Sequence, residues 1–222
     1  MFIDGFNLYH AVIKHFPNRY KWCDLRKLTK QFVDNKTQEL KSIYFFTAYC
    51  SWDNTKKARH KKYIKALQYH CGVYSVLGKY RKVNRKFNFP MKILKCVPES
   101  VADILEKLVY ETHEEKETDV NMALKILEDG FLDKYDHAFI LSGDSDLIGA
   151  IKSIKKHFPD KKFTSLLPQK AKGKIIRKAC NYRFQITAKH FEASLLPEEI
   201  KLNTGEVLNM PESYHLKSSK KK

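Results

Sequence analysis

Asp144 and Asp146 stand two residues apart in Leu141-Ser142-Gly143-Asp144-Ser145-Asp146-Leu147. The apolar run Ala138-Phe139-Ile140-Leu141 leads in, and a stretch with helical character, Leu147 to Lys156, leads out. The pattern predicts a buried strand, a tight turn and a helix. The two carboxylates then sit at the carboxyl end of a strand, the edge where open α/β sheets bind ligands. Acids so placed repel each other and call for a cation or hydrogen-bond donors. A hard divalent ion with oxygen ligands answers that need. Helix capping accounts for one acid of the pair but not for both.

Two further acids follow their own local elements. Asp4 ends the short apolar start Met1-Phe2-Ile3, with Gly5 for a turn and Asn7 three residues on, a spacing that also suits a simple Asx turn. Asp119 follows Thr118, a natural N-cap, in the first turn of a helix read from Val120, Ala123, Leu124 and Leu127. At that place an acid also complements the helix dipole. Lys116, just upstream, is within reach of a phosphate bound there. Four carboxylates suit one or two Mg²⁺ or Mn²⁺ ions, which neutralise a phosphodiester and activate water. No Ser-His-Asp or Cys-His arrangement stands out.

The elements that position these residues alternate. Strands are expected at 1–4, 42–48, 73–77, 138–141, 162–167 and 182–187. Helices are expected at 8–14, from Asp24, at 56–70 with Gly72 ending it, at 101–113, from Thr118, at 148–157 and at 172–181. This order predicts a parallel, doubly wound α/β sheet. Residues 190–222, with Pro197, Gly205, Pro211 and a terminal Lys220-Lys221-Lys222, read as an irregular extension that wraps the domain and frays at its basic end.

The formal net charge of +17 predicts a polyanionic partner. It is unevenly spread: residues 54–98 hold thirteen Lys/Arg and no acid, while 99–119 hold eight acids and two lysines. The stretch Gly78 to Lys95 interleaves cations with aromatics, as a basic hairpin or lip that stacks bases and contacts phosphates, or as an edge strand guarded by lysine. No amphipathic Trp/Leu-rich helix points to a membrane surface. No run approaches the ~20 apolar residues of a membrane span. Five scattered cysteines without a CxxC pair argue against zinc. With no export signal at the start, they point to a reducing cytoplasm.

Three ordered motifs, Phe2-Ile3-Asp4-Gly5-Phe6-Asn7-Leu8-Tyr9, Lys116-Glu117-Thr118-Asp119-Val120-Asn121-Met122-Ala123 and Leu141 to Leu147, resemble the NYN domain family of PIN-like ribonucleases. Lys172-Gly173-Lys174 and Leu195-Leu196-Pro197 look like its bacterial LabA-like branch. The resemblance implies a PIN-like three-layer α/β/α sandwich over residues 1–189, with a mostly parallel sheet of five or six strands. It further implies Mg²⁺- or Mn²⁺-dependent hydrolysis of RNA at a pocket of Asp4, Asp119, Asp144 and Asp146. Asn7, Lys116, Thr118, Ser142 and Asp129 are the candidates for orienting those acids or the substrate. Lys79, Arg81, Lys82, Arg85, Lys86, Lys172, Lys174 and Arg177 are the candidates for binding nucleic acid. The chain departs from the family pattern at Lys125, where many members carry an acid or a histidine; the number of metal ions stays open.

Three rivals remain. A haloacid-dehalogenase-type phosphatase needs a second Asp two residues after the nucleophile, and Phe6 stands there. A non-catalytic RNA-binding module on the same fold would be marked by loss of the pocket acids, all of which are present. A DNA nuclease stays open, since nothing recognisable reads the 2′-hydroxyl.

Overall fold

A computed structural model describes residues 1–90, 92 and 96–215. Six strands form a parallel sheet: β1 (Phe2–Asp4), β2 (Tyr44–Thr47), β3 (Tyr74–Leu77), β6 (His137–Leu141), β7 (Lys162–Pro168) and β8 (Tyr182–Ile186). Their order is β3-β2-β1-β6-β7-β8. The chain moves outward from β1 to β3, then returns to place β6 beside β1. That reversal makes the β1–β6 boundary the topological switch point, where crevices open at the carboxyl edge. β4 (Lys79–Lys86) and β5 (Val109–Lys116) form a separate antiparallel arm that follows β3.

The strands have apolar residues on both faces, as a buried parallel sheet requires. Alternation sends Ile3, Phe45, Phe139, Leu141 and Leu166 to one core and Phe2, Phe46, Ala138, Ile140, Phe163 and Leu167 to the other. The first core packs on α1 (Gly5–His15), α2 (Leu25–Lys30) and α3 (Asn54–Cys71). The second packs on α5 (Thr118–Phe131), α6 (Ile148–His157) and α7 (Lys174–Ala179). The result is the expected PIN-like α/β/α sandwich, with all six strands parallel.

Local signals explain most boundaries. The Asp24 and Asp53 side chains accept from the first turns of α2 and α3. Gly72, at φ 59°, ends α3 as a left-handed cap.

Three expectations are corrected. The helix expected over 101–113 is only α4 (Glu99–Lys107); Val109 to His113 belong to β5. β5 pairs residue for residue with β4, from Lys79 opposite Lys116 to Lys86 opposite Val109. Cross-strand pairing with a basic partner outweighs the helical reading of that acidic stretch. The described part of the Gly78–Lys95 stretch thus pairs with β5 and not with itself; Met91 and residues 93–95 lie outside the described residues. The cap of α5 is Glu117, at φ 78°, with Thr118 inside the first turn.

The extension is not irregular as far as it is described. It holds α8 (Ala188–Glu192), a hairpin of β9 (Glu199–Lys201) and β10 (Val207–Asn209), and α9 (Glu212–His215). Phe191, Leu196, Ile200, Leu202 and Leu208 join the first core. The fully buried Trp22 donates its indole N–H to the Pro197 carbonyl at 2.8 Å. The end at 216–222, expected to be basic and frayed, lies outside the described residues.

Candidate active site

Asp4 is 2% exposed and caps α1 with its side chain. Its Oδ1 accepts from the Phe6 and Asn7 amides at 3.0 and 2.9 Å. Its Oδ2 accepts from Ser142 Oγ at 2.9 Å and from Asn7 Nδ2. Burial raises its pKa, and these four donors oppose the rise. Asn7 is bifunctional: its Oδ1 accepts from the Gly143 amide at 3.0 Å. Ser142 Oγ also accepts from the Asp144 amide at 3.0 Å, and Asp144 Oδ1 accepts from the Asp146 amide at 2.8 Å. One hydrogen-bonded web therefore joins the end of β1 to the loop after β6.

Asp119 enters from the mouth of α5. Its pKa is pushed up to about 6, first by burial and then by the charges of Asp4, Asp144, Glu115 and Asp146. The four expected acids are thus gathered at the carboxyl edge of one sheet. Glu115 is an addition. A helical reading of the segment before it conceals its period-two placement; in β5 it faces the pocket, and its Oε1 accepts from the Thr118 amide at 3.0 Å. Glu115 thereby satisfies a free N–H at the start of α5, a different one from the Val120 or Asn121 amide that a Thr118 cap would have bound. Thr118 Oγ1 is buried without a hydrogen-bond partner among the described residues.

Asp129 is not brought to this site. It lies ten residues along α5 from Asp119, about 15 Å at the helical rise. There it is buried at the opposite edge of the sheet, 3.0 Å from Lys125 Nζ and 3.4 Å from Lys134 Nζ. Lys125 also lies 5.0 Å over the Tyr44 ring. This is a structural ion-pair network behind the sheet.

The basic candidates divide into two groups. On the arm, Lys79 pairs with Glu117, Lys82 with Glu111 at 2.5 Å, and Arg85 Nε with Glu114 at 2.7 Å. Lys116 pairs with Glu114 at 2.9 Å, so its charge is shared with a neighbour and not held open for a phosphate. The arm is a mixed-charge ribbon, with exposed Arg81 and Lys86 at its surface. Exposed pairs of this kind are weak and exchange readily with other anions.

The second group belongs to a loop whose backbone packs on Gly143, next to Asp144. Gly143 lies so close to the loop before α7 that a Cβ on it would stand 2.3 Å from the Lys172 carbonyl oxygen. Gly173, at φ 146°, is in turn within 3.1 Å of Gly143 Cα by the same measure. Lys172 and Lys174 flank this contact and are exposed; Arg177 follows one turn later, half-buried.

Among the described residues no three His, Cys, Asp or Glu side chains stand in a preformed metal cage. The donors at the site are nonetheless all oxygen, and their mutual repulsion is what a divalent ion relieves. Mg²⁺ is usually held by one or two carboxylates while it keeps several waters. Asp144 and Asp146 stand two residues apart on the loop after β6, and their charges act on Asp119, so the chemistry of the donor set, not a closed cage, is what suits such an ion. Both oxygens of Asp4 are already engaged by donors.

The chain belongs to the NYN domain family, whose model matches residues 1–187. That membership carries the PIN-like nuclease reading. Among curated proteins, the chain is 30% identical over 182 residues to the 6-hydroxy-3-succinoylpyridine 3-monooxygenase HspA of Pseudomonas putida, covering 71% of this chain and 55% of that protein. The chain therefore spans about half the length of the curated relative it matches. Among solved structures, a protein of unknown function from Vibrio parahaemolyticus is similar at TM-score 0.49 and 16% identity, over 88% of this chain and 93% of that one.

Proposed function

We propose that this protein is a divalent-metal-dependent endonuclease that hydrolyses phosphodiester bonds of single-stranded RNA, within the LabA-like branch of its family. The observation that carries the reading is the concentration of Asp119, Asp144, Asp146, Glu115 and Asp4 at one sheet edge of a chain with net charge +17. A surface so basic attracts a polyanion, and a local knot of carboxylates inside it is costly unless it holds cations.

A bound Mg²⁺ or Mn²⁺ would supply charge neutralisation and a more acidic water. Asp119, Asp144 and Asp146 would hold it. Asn7 and Ser142 keep the loop after β6 in register with β1. Lys172 and Lys174, seated beside Gly143, would draw the phosphate in and offset its charge. A cytoplasmic setting belongs to the same proposal.

The test is purified protein with labelled single-stranded RNA, duplex RNA and single-stranded DNA, each with Mg²⁺, Mn²⁺ or EDTA. Cleavage of single-stranded RNA that EDTA abolishes is expected. Cleavage that survives EDTA overturns the mechanism, and preference for DNA overturns the substrate.

A second reading rests on the name of the Pseudomonas relative, a monooxygenase. Such a reaction consumes O₂ and a two-electron reductant. Substrate-dependent O₂ uptake with NADH and a hydroxylated pyridine, without any RNA cleavage, would replace the nuclease reading with that one.

A further inference from the structure

The arm joins the sheet beside the acids, and its root carries a cluster of aromatic rings that the carboxylate chemistry does not use. Phe6, whose amide donates to Asp4, meets Tyr80 edge to face with ring centroids 5.8 Å apart. Tyr80 meets Trp52 edge to face at 4.7 Å, and Trp52 stacks on His113 at 4.0 Å with the ring planes only 21° apart. Each ring comes from a different segment: the first turn of α1, the start of β4, the loop after β2, and β5. Four segments thus converge on one chain of ring contacts that begins beside Asp4, its stacked end, Trp52 on His113, forming a shelf.

The shelf lies on one face of the arm. Tyr80 stands opposite Glu115 and Lys82 opposite His113 in the β4–β5 register, so all four share that face. The charge of Glu115 acts on Asp119, and Lys82, paired with Glu111, stands opposite His113 in the register. Trp52 is 48% exposed although it is the largest ring of the cluster. The other tryptophan, Trp22, is fully buried. An indole held in place by His113 and Tyr80 but left half in water is a preorganised stacking surface.

We infer that the Trp52–His113–Tyr80 shelf stacks an unpaired nucleobase of the substrate strand, next to the phosphate held at the acids, and so selects single strands over duplexes. The inference rests on the nuclease reading for the identity of the ligand. Bases in a duplex are stacked on each other and have no free face to offer, whereas every unpaired base has one. The mixed charge of the arm fits this role, since stacking does not depend on a dense positive surface.

The experiment is run in EDTA, so that binding is read without cleavage. Tryptophan fluorescence is followed while a single-stranded oligoribonucleotide, an abasic strand of the same length and a duplex are added. Only the first should quench, because Trp52 is the accessible indole and Trp22 is sealed. Trp52→Tyr, which keeps a ring, should abolish the quenching yet retain most of the affinity measured by anisotropy of the labelled strand. Trp52→Ala should weaken single-strand binding roughly tenfold or more and leave duplex binding unchanged. Equal quenching by the abasic strand or the duplex, or an unchanged affinity in Trp52→Ala, overturns the shelf. Quenching by a free pyridine at lower concentration than by the oligonucleotide overturns it in favour of a small heterocycle. Cleavage with Mg²⁺ is assayed separately, so a failed shelf with intact cleavage leaves the nuclease reading standing.

Discussion

The hydroxyl of Ser142 donates to Asp4 at 2.9 Å and at the same time accepts from the Asp144 amide at 3.0 Å. One fully buried side chain therefore couples the acid of the first strand to the loop that carries two others. Ser142→Ala leaves a buried carboxylate short of a donor and a backbone amide short of an acceptor. A loss of about 1–3 kcal/mol in denaturant unfolding is expected, together with reduced cleavage. An unchanged midpoint would mean that the web closes without Ser142.

Asp144→Asn removes one charge and keeps the size of the side chain. Repulsion on Asp119 falls, so the metal-free variant should be at least as stable as the parent, while cleavage drops by orders of magnitude and RNA binding survives. Thermal melts without metal and gel assays with it read the two effects separately. Full activity in this variant would make the cluster structural.

The raised pKa of Asp119, about 6, sets a pH dependence. An unfolded Asp titrates near ~3.9. Between the two values the folded state holds the extra proton, so stability declines as pH rises through this window and levels above it. The metal-free protein should be more stable at pH 4–5 than at pH 7 as far as this group is concerned. Asp119→Asn should flatten that slope in melts across the range. Activity should run the other way, rising through about pH 6 as the carboxylate ionises to hold metal. Metal binding at pH 5.5 should release protons, which calorimetry in two buffers of different ionisation enthalpy detects.

Gly143→Ala forces a methyl group to within 2.3 Å of the Lys172 carbonyl unless the loop withdraws. Overpacking of this kind costs about 1–3 kcal/mol. Withdrawal would also carry Lys172 and Lys174 away from the acids. Lower stability and weaker RNA binding are expected together; a variant with normal affinity would show that the two loops act independently.

Replacing both Lys172 and Lys174 by Ala should weaken single-strand binding and reduce the salt dependence, by ~0.7 in log–log slope for each phosphate no longer neutralised. Replacing Lys79 and Lys116, which are already paired with Glu117 and Glu114, should change that slope less. Equal slopes for the two double variants would mean that the arm pairs open on binding.

The architecture and the four aspartates are legible in the chain because both rest on local physics. Continuous apolar runs mark buried parallel strands, and an acid directly after such a run has no choice but to emerge at the carboxyl edge. Asp4, Asp144 and Asp146 follow that rule. Asp129 defeats it: on a helix, spacing along the chain turns into distance, and ten residues carry it to the other side of the sheet. The arm escapes a local reading for a related reason. Val109 to His113 fits a helix when taken alone, and only the presence of β4 opposite makes it a strand. With that strand come Glu115, the ion pairs that neutralise much of the expected basic lip, and the face on which Trp52, Tyr80 and His113 meet. Local order along the chain decided which elements form and where the first acids point. Pairing between segments far apart in sequence decided what surrounds them, because cross-strand contacts and like-charge proximity exist only after the chain has closed on itself.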